Sequence, residues 1–136
     1  MDKIIRVLLV EDSQTDAAIA LDALEQGAKK GQRFRVTTVK RLAAAIEALA
    51  SPAFDAVMLD LDLPDSRGIA TLSKLRDVCP GLPIIVCSGL ENEDVALEAL
   101  EQGAQEYLVK GRTTSWATRR TILTAIERKH LGKRGA

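Results

Sequence analysis

Aromatic side chains are scarce in this chain of 136 residues: two Phe, one Tyr and one Trp, together 3%. A core built on stacked rings is therefore excluded, and the 46% apolar content must pack mainly through Ala, Val, Ile and Leu. Cysteine is rarer still. Cys79 and Cys87 cannot form a disulfide framework or a four-ligand zinc site alone, and they read as buried free thiols of a reducing compartment. Long apolar runs are missing too, none reaching the about 18 residues that a membrane span requires. The opening MDKIIRVLLVED is a poor leader, because its apolar stretch runs straight into Glu11 and Asp12. A cytoplasmic location is the expectation. Charge of one sign is also absent: Lys and Arg total 19, Asp and Glu total 19, and the net is +0. That balance gives no global electrostatic reason to expect nucleic acid or an anionic membrane as partner.

What is present is an alternation. VLLV (Val7–Val10) reads as a buried strand, and TDAAIALDALEQG as a helix closed by Gly27. A loop containing Gly31 leads to the β-branched strand RFRVTTV. RLAAAIEALAS is a helix ended by Ser51-Pro52. FDAVMLD is a third strand, LDLPDSRG a loop, and IATLSKLRDV a helix that stops before Cys79-Pro80-Gly81. PIIVC is a fourth strand. A helix capped by Gly103 follows, then EYLVK as a fifth strand and WATRRTILTAIERKH as the last helix. On that last helix Trp116, Leu123 and Ile126 have the spacing of one buried stripe.

Strands alternating with helices argue for parallel pairing through right-handed crossovers. The expected fold is α/β: a five-stranded, doubly wound parallel sheet of the flavodoxin-like order 2-1-3-4-5, with helices on both faces. In such sheets sites form at the carboxyl ends of the strands, where strand order reverses. There the first strand ends in Glu11 and Asp12, the third in Asp60, the fourth in Ser88 and the fifth in Lys110. Any one of these alone reads as loop polarity or a helix start. All of them at the same end of their strands point to a site. Clustered carboxylates repel unless a cation is present, so Glu11, Asp12 and Asp60 suit a hard divalent ion. Mg²⁺ is the natural candidate, since it takes few carboxylates and keeps waters or phosphate oxygens. Lys110 beside them would balance charge and pair with a phosphoryl group, whose transfer needs mostly positioning and charge stabilisation.

These residues resemble the receiver domains of bacterial response regulators, from about Ile5 to about Arg128. The marks are VLLVED, LDLDLPDSRG with Pro64 and Gly68 placed after Asp60, the small residues CSG, and GAQEYLVK leading to Lys110. The resemblance implies that Asp60 takes a phosphoryl group from a histidine kinase or phosphotransfer protein. It implies Mg²⁺ on Asp12, Asp60 and the backbone carbonyl of Asp62, with Glu11 holding a metal water. Ser88 would hydrogen-bond the phosphoryl group and Lys110 would pair with it. Tyr107 would be the aromatic switch, turning inward as the Ser88 loop closes and reshaping the face of the fourth helix, fifth strand and fifth helix. Asp62 and Leu90 flank the expected approach of water. Such a domain catalyses only its own phosphorylation and dephosphorylation and is not otherwise an enzyme. The chain departs from the family pattern at Gly111, where a cis-proline often follows the lysine. A trans bond and a more mobile loop are expected instead.

Rival readings share pieces of this pattern. DLDLPD resembles the nucleophile motif of haloacid-dehalogenase-type phosphatases, but it follows the third strand, and there is no room for a cap domain. A calcium loop is opposed by Pro64 and Asp65. A flavin or nucleotide carrier is opposed by the acidic EDSQTD after the first strand. An unphosphorylated docking module would not need every catalytic position filled. The expected layout is a receiver domain over 1–130 and a basic tail over 131–136. That tail reads either as a solvated helix end suited to its dipole or as a truncated linker to a downstream output module. His130 reads as solvated. A homodimer through the fourth-helix face is implied by the family alone.

Overall fold

The computed structural model describes residues 3–25 and 32–135, with side chains through Leu131. The elements run β1 (Lys3–Val10), α1 (Gln14–Glu25), β2 (Gln32–Val39), α2 (Leu42–Ala48), β3 (Ala56–Leu59), β4 (Asp62–Leu63), β5 (Ser66–Arg67), α3 (Ile69–Val78), β6 (Ile84–Ser88), α4 (Glu93–Glu101), β7 (Glu106–Val109) and α5 (Ser115–Gly135). The five strands expected from the sequence are β1, β2, β3, β6 and β7. They form one parallel sheet in the order β2-β1-β3-β6-β7, which is the predicted 2-1-3-4-5.

Side chains alternate across this sheet with a period of two, and both faces are covered. Leu8, Val10, Val57, Leu59, Ile84 and Val86 face one way, against Leu42 of α2, Leu72 and Leu75 of α3 and Ala99 of α4. Ile5, Val7, Leu9, Ala56, Met58 and Ile85 face the other way, against Leu24 of α1 and Ile122, Ala125 and Ile126 of α5. Each fully buried Leu or Ile contributes about 1.5–3 kcal/mol through removal from water, so these two aliphatic layers hold the sheet without stacked rings. β3 lies in the middle, with all four residues buried, whereas edge strand β7 is half-buried throughout.

Four expectations are corrected. The stretch LDLPDSRG is not a plain loop: β4 and β5 pair antiparallel within it, around a Pro64-Asp65 turn. Trp116 is 56% exposed and does not join a buried stripe. Arg120 lies over its ring, 4.7 Å from the centroid, and the buried face of α5 is Thr118, Ile122, Ala125 and Ile126. The helix also runs past His130 to Gly135. Cys79 and Cys87 are free but half-buried, and burial pushes the Cys87 thiol up to about 12. Every described peptide bond is trans, as expected at Lys110-Gly111, and Gly111 takes φ +79°, which an L side chain rarely adopts. Gly27 and Gly31 lie outside the described residues. No described helix is long and apolar enough to cross a membrane.

Candidate functional site

The groups singled out at the strand ends are fixed by ladder bonds that continue past the strands. The Glu11 N–H donates to the Val39 carbonyl at 2.9 Å, the Asp60 N–H to Val10 at 3.0 Å, and the Lys110 N–H to Ser88 at 2.8 Å. Side chains held this way converge on one rim. Glu11 is 3% and Asp60 7% exposed, while Asp12 is exposed. Carboxylate oxygens of Glu11, Asp12 and Asp60 all lie within 4.8 Å of one another.

Lys110 sits among these acids. Its Nζ donates to Glu11, to Asp16 Oδ2 at 3.0 Å and to Asp60 Oδ2 at 3.2 Å. Burial opposes the lysine charge, but the hydrogen bonds to Glu11 and Asp16 and the charge of Asp60 outweigh it and hold its pKa above the ordinary value. Glu11 moves up to about 7, first because burial penalises its charge and next because it shares a hydrogen bond with Asp60; Lys110 offsets this only in part. Glu11 Oε2 is buried without a hydrogen-bond partner. A buried carboxylate oxygen left unpaired is costly, and an all-oxygen cluster of this kind suits a hard cation.

Two loops complete the rim. In the β3–α3 loop, the Asp62 N–H donates to Asp60 Oδ1 at 3.1 Å, and Leu61 and Leu63 are buried. The Gly68 N–H closes the loop onto the Leu61 carbonyl at 2.7 Å, and Gly68 enters α3 at φ +75°. Asp65, at the hairpin turn, accepts from the N–H groups of Leu42 and Ala43 at 2.8 and 3.0 Å. It thereby caps α2, whose own N-cap residue Arg41 makes no side-chain cap. These backbone bonds hold the Asp65 carboxyl below its ordinary value. In the β6–α4 loop, Ser88 Oγ accepts from the Leu90 N–H at 3.1 Å, and the Tyr107 hydroxyl donates to the Leu90 carbonyl at 2.6 Å. Arg112 pairs with Glu91 at 3.2 Å.

Asp12, Asp60, Asp62, Ser88 and Lys110 line one cleft of about 750 Å³. Glu11 lines a smaller cavity of about 100 Å³ behind Lys110. Tyr107 stands outside the cleft and reaches it through Leu90. Asp62 is exposed and its carboxylate pairs with Arg67 at 3.2 Å, so its side chain lies apart from the carboxylate cluster. Sequence reasoning missed Asp16, Arg67 and Asp65. Asp16 had a signal, because it belongs to the acidic EDSQTD stretch. Its place in the first turn of α1, where acids suit the helix dipole, disguised it.

A family profile described as the response regulator receiver domain matches residues 7–120. The response regulator protein FleR of Pseudomonas aeruginosa is 34% identical over 128 residues, which is 94% of this chain and 25% of that protein. The transcriptional regulatory protein ZraR of Escherichia coli is 28% identical over 106 residues, 78% of this chain and 23% of that one. In three dimensions, a CheY-like response regulator receiver domain protein from Methanospirillum hungatei superposes with TM-score 0.79 at 19% identity, covering 96% of this chain and 99% of that one. The chain belongs to the receiver domains of two-component response regulators. It spans about a quarter of the length of the curated relatives it matches.

Proposed function

We propose that Asp60 is a phosphoacceptor, charged by a histidine kinase or a phosphotransfer protein. The observation that carries this reading is the position of its carboxylate, nearly buried, 3.2 Å from Lys110 Nζ and clustered with Glu11 and Asp12. An Asp60 oxygen forms the new bond to phosphorus while the bond to the donor's histidine nitrogen breaks. The electron pair leaves with the imidazole, which takes a proton from solvent. Lys110, already held to Asp60, offers its charge to the arriving phosphoryl oxygens.

The carboxylates fit Mg²⁺, and the orphaned Glu11 oxygen supports a cation in the cluster. Asp12, Asp60 and the Asp62 backbone carbonyl would hold the ion, with Glu11 as the outer carboxylate. When bound, it supplies neutralisation of the phosphoryl and carboxylate charge. The rival in which Asp62 serves as general acid is weakened by its pairing with Arg67, away from Asp60.

Ser88 then reports the modification. Its Oγ is 3.1 Å from the Leu90 N–H and would exchange that partner for a phosphoryl oxygen. Leu90 is also the acceptor of Tyr107, so loosening one contact bears on the other and on the face of α4, β7 and α5. This is a local charge change biasing a two-state element. That face would meet the downstream partner, a second copy or an output module, in the cytoplasm. We take residues 1–130 as the receiver unit and 131–136 as a basic tail. The protein's chemistry would be confined to its own modification and its reversal. Incubation with Mg²⁺ and acetyl phosphate, followed by intact mass, tests the core of this reading. One phosphoryl group is expected on the wild type and none on Asp60→Asn; a wild type without the gain would sink it.

A further inference from the structure

Among the residues lining the cleft, only Lys110 and Arg67 are cationic, and they occupy opposite depths. Lys110 is 23% exposed and already engaged by Glu11, Asp16 and Asp60. Arg67 stands at the mouth on β5, directly across from Asp62. Its Nε lies 3.2 Å from Asp62 Oδ1, and the two side chains are 80% and 79% exposed. An ion pair so open to water contributes little to stability, because solvent screens it. Its place is better explained by what must approach.

A phosphoryl donor brings an anionic group to a rim that carries Asp12, Asp16, Asp60 and Asp62. Coulomb repulsion opposes that approach, and the inner lysine is screened by three carboxylates. A guanidinium at the mouth offsets the Asp62 charge there, and its planar fork of donors matches phosphoryl oxygens. The backbone beneath it is pinned. Leu63 is 1% exposed, and the Gly68 N–H holds the Leu61 carbonyl at 2.7 Å. The side chain above is exposed, so it can exchange one anion for another without moving the hairpin.

We propose that Arg67 is a positioning residue that receives the donor's phosphoryl oxygens at the cleft mouth, trading Asp62 for the donor before the group passes to Asp60. The inference rests on the reading of Asp60 as phosphoacceptor. With acetyl phosphate as donor, an Asp60 oxygen bonds to phosphorus as the phosphorus–acetate bond breaks. Acetate leaves with the electron pair and no proton is exchanged. Arg67 forms no covalent bond.

The test is the rate of phosphorylation of the full chain at saturating Mg²⁺, measured against acetyl phosphate concentration. In Arg67→Ala the half-saturating concentration rises about threefold to tenfold, the span of one lost charged contact at an exposed site, while the saturating rate holds. Arg67→Lys recovers part of the loss, Arg67→Glu deepens it, and added salt affects Arg67→Ala less than the wild type. Melting curves keep the comparison to variants that fold as the wild type does. An unchanged half-saturating concentration, or a fall confined to the saturating rate, overturns the role of Arg67 and leaves Asp60 as acceptor. A wild type that gains no phosphoryl group overturns the Asp60 reading itself, and this inference with it.

Discussion

The two loops that border the cleft are held in different ways. The β3–α3 loop, which follows Asp60, is tied by two buried leucines, a paired hairpin, the Gly68–Leu61 bond and the Asp65 cap on α2. The β6–α4 loop, which follows Ser88, is exposed from Gly89 to Asp94. Its ties are single contacts: Ser88 and Tyr107 to Leu90, Arg112 to Glu91, and the Asn92 cap accepting from Val95. A group that must present a nucleophile in one geometry gains from a fixed support. A group that must respond to a new charge gains from ties of low free energy. On the proposed reading of Asp60 and Ser88, the difference suits the first loop to chemistry and the second to response.

The largest blow to this contrast comes from the buried anchor of the first loop. Leu63→Ala should cost about 2–5 kcal/mol in denaturant unfolding, as large-to-small core changes do, and should slow Asp60 modification by misplacing the loop. A cost near zero would mean that the loop is not anchored as described. A smaller effect is expected on the other side. Tyr107→Phe removes a hydrogen bond at the surface, worth about 0.5 kcal/mol, yet amide exchange should quicken at Leu90 and its neighbours while residues 61–68 stay protected. Equal quickening in both loops would erase the distinction.

The smallest effect is a pH dependence. The folded Asp65 carboxyl lies below its ordinary value, so its cap stabilises the fold fully above the unfolded pKa, near 3.8. That stabilisation is lost as pH falls through the lower, folded value. The melting-temperature gap between wild type and Asp65→Asn should therefore be steady from pH 7 to 5, in the range where both forms of the fold bind the same protons, and shrink in stronger acid. A gap that widens on acidification would contradict the cap.

Much of this was legible in the chain. Buried strands read as short aliphatic runs, and α3 falls on Ile69–Val78 as predicted, because Gly68 and Cys79-Pro80 punctuate it on both sides. The convergence of Asp12, Asp60, Ser88 and Lys110 followed from strand order alone. What stayed hidden depends on tertiary context. β4 and β5 are two residues each, too short for a periodic signal. Asp65 caps a helix 22 and 23 residues earlier in sequence, a partnership no local pattern announces. Trp116 was misplaced because a large apolar ring at helical spacing suggests burial. Here Arg120 covers one face of the ring, and Thr118 takes the inward position.

The Asp65 cap also sets a rule about length. The hairpin turn must reach α2 from a loop that begins at Asp60, and both of its ends are spoken for by backbone bonds. Adding or removing a residue between Leu61 and Gly68 would pull the carboxylate off the α2 amides and shift Arg67 along the rim at once. The stretch from Gly89 to Asn92 has ties too, Leu90 to Ser88 and Tyr107, Glu91 to Arg112 and Asn92 to α4, but none of them bears on Asp60 or the α2 cap. A peptide spliced into the second loop would therefore spare the support of Asp60 and cut the Ser88–Leu90–Tyr107 link, which separates modification from response.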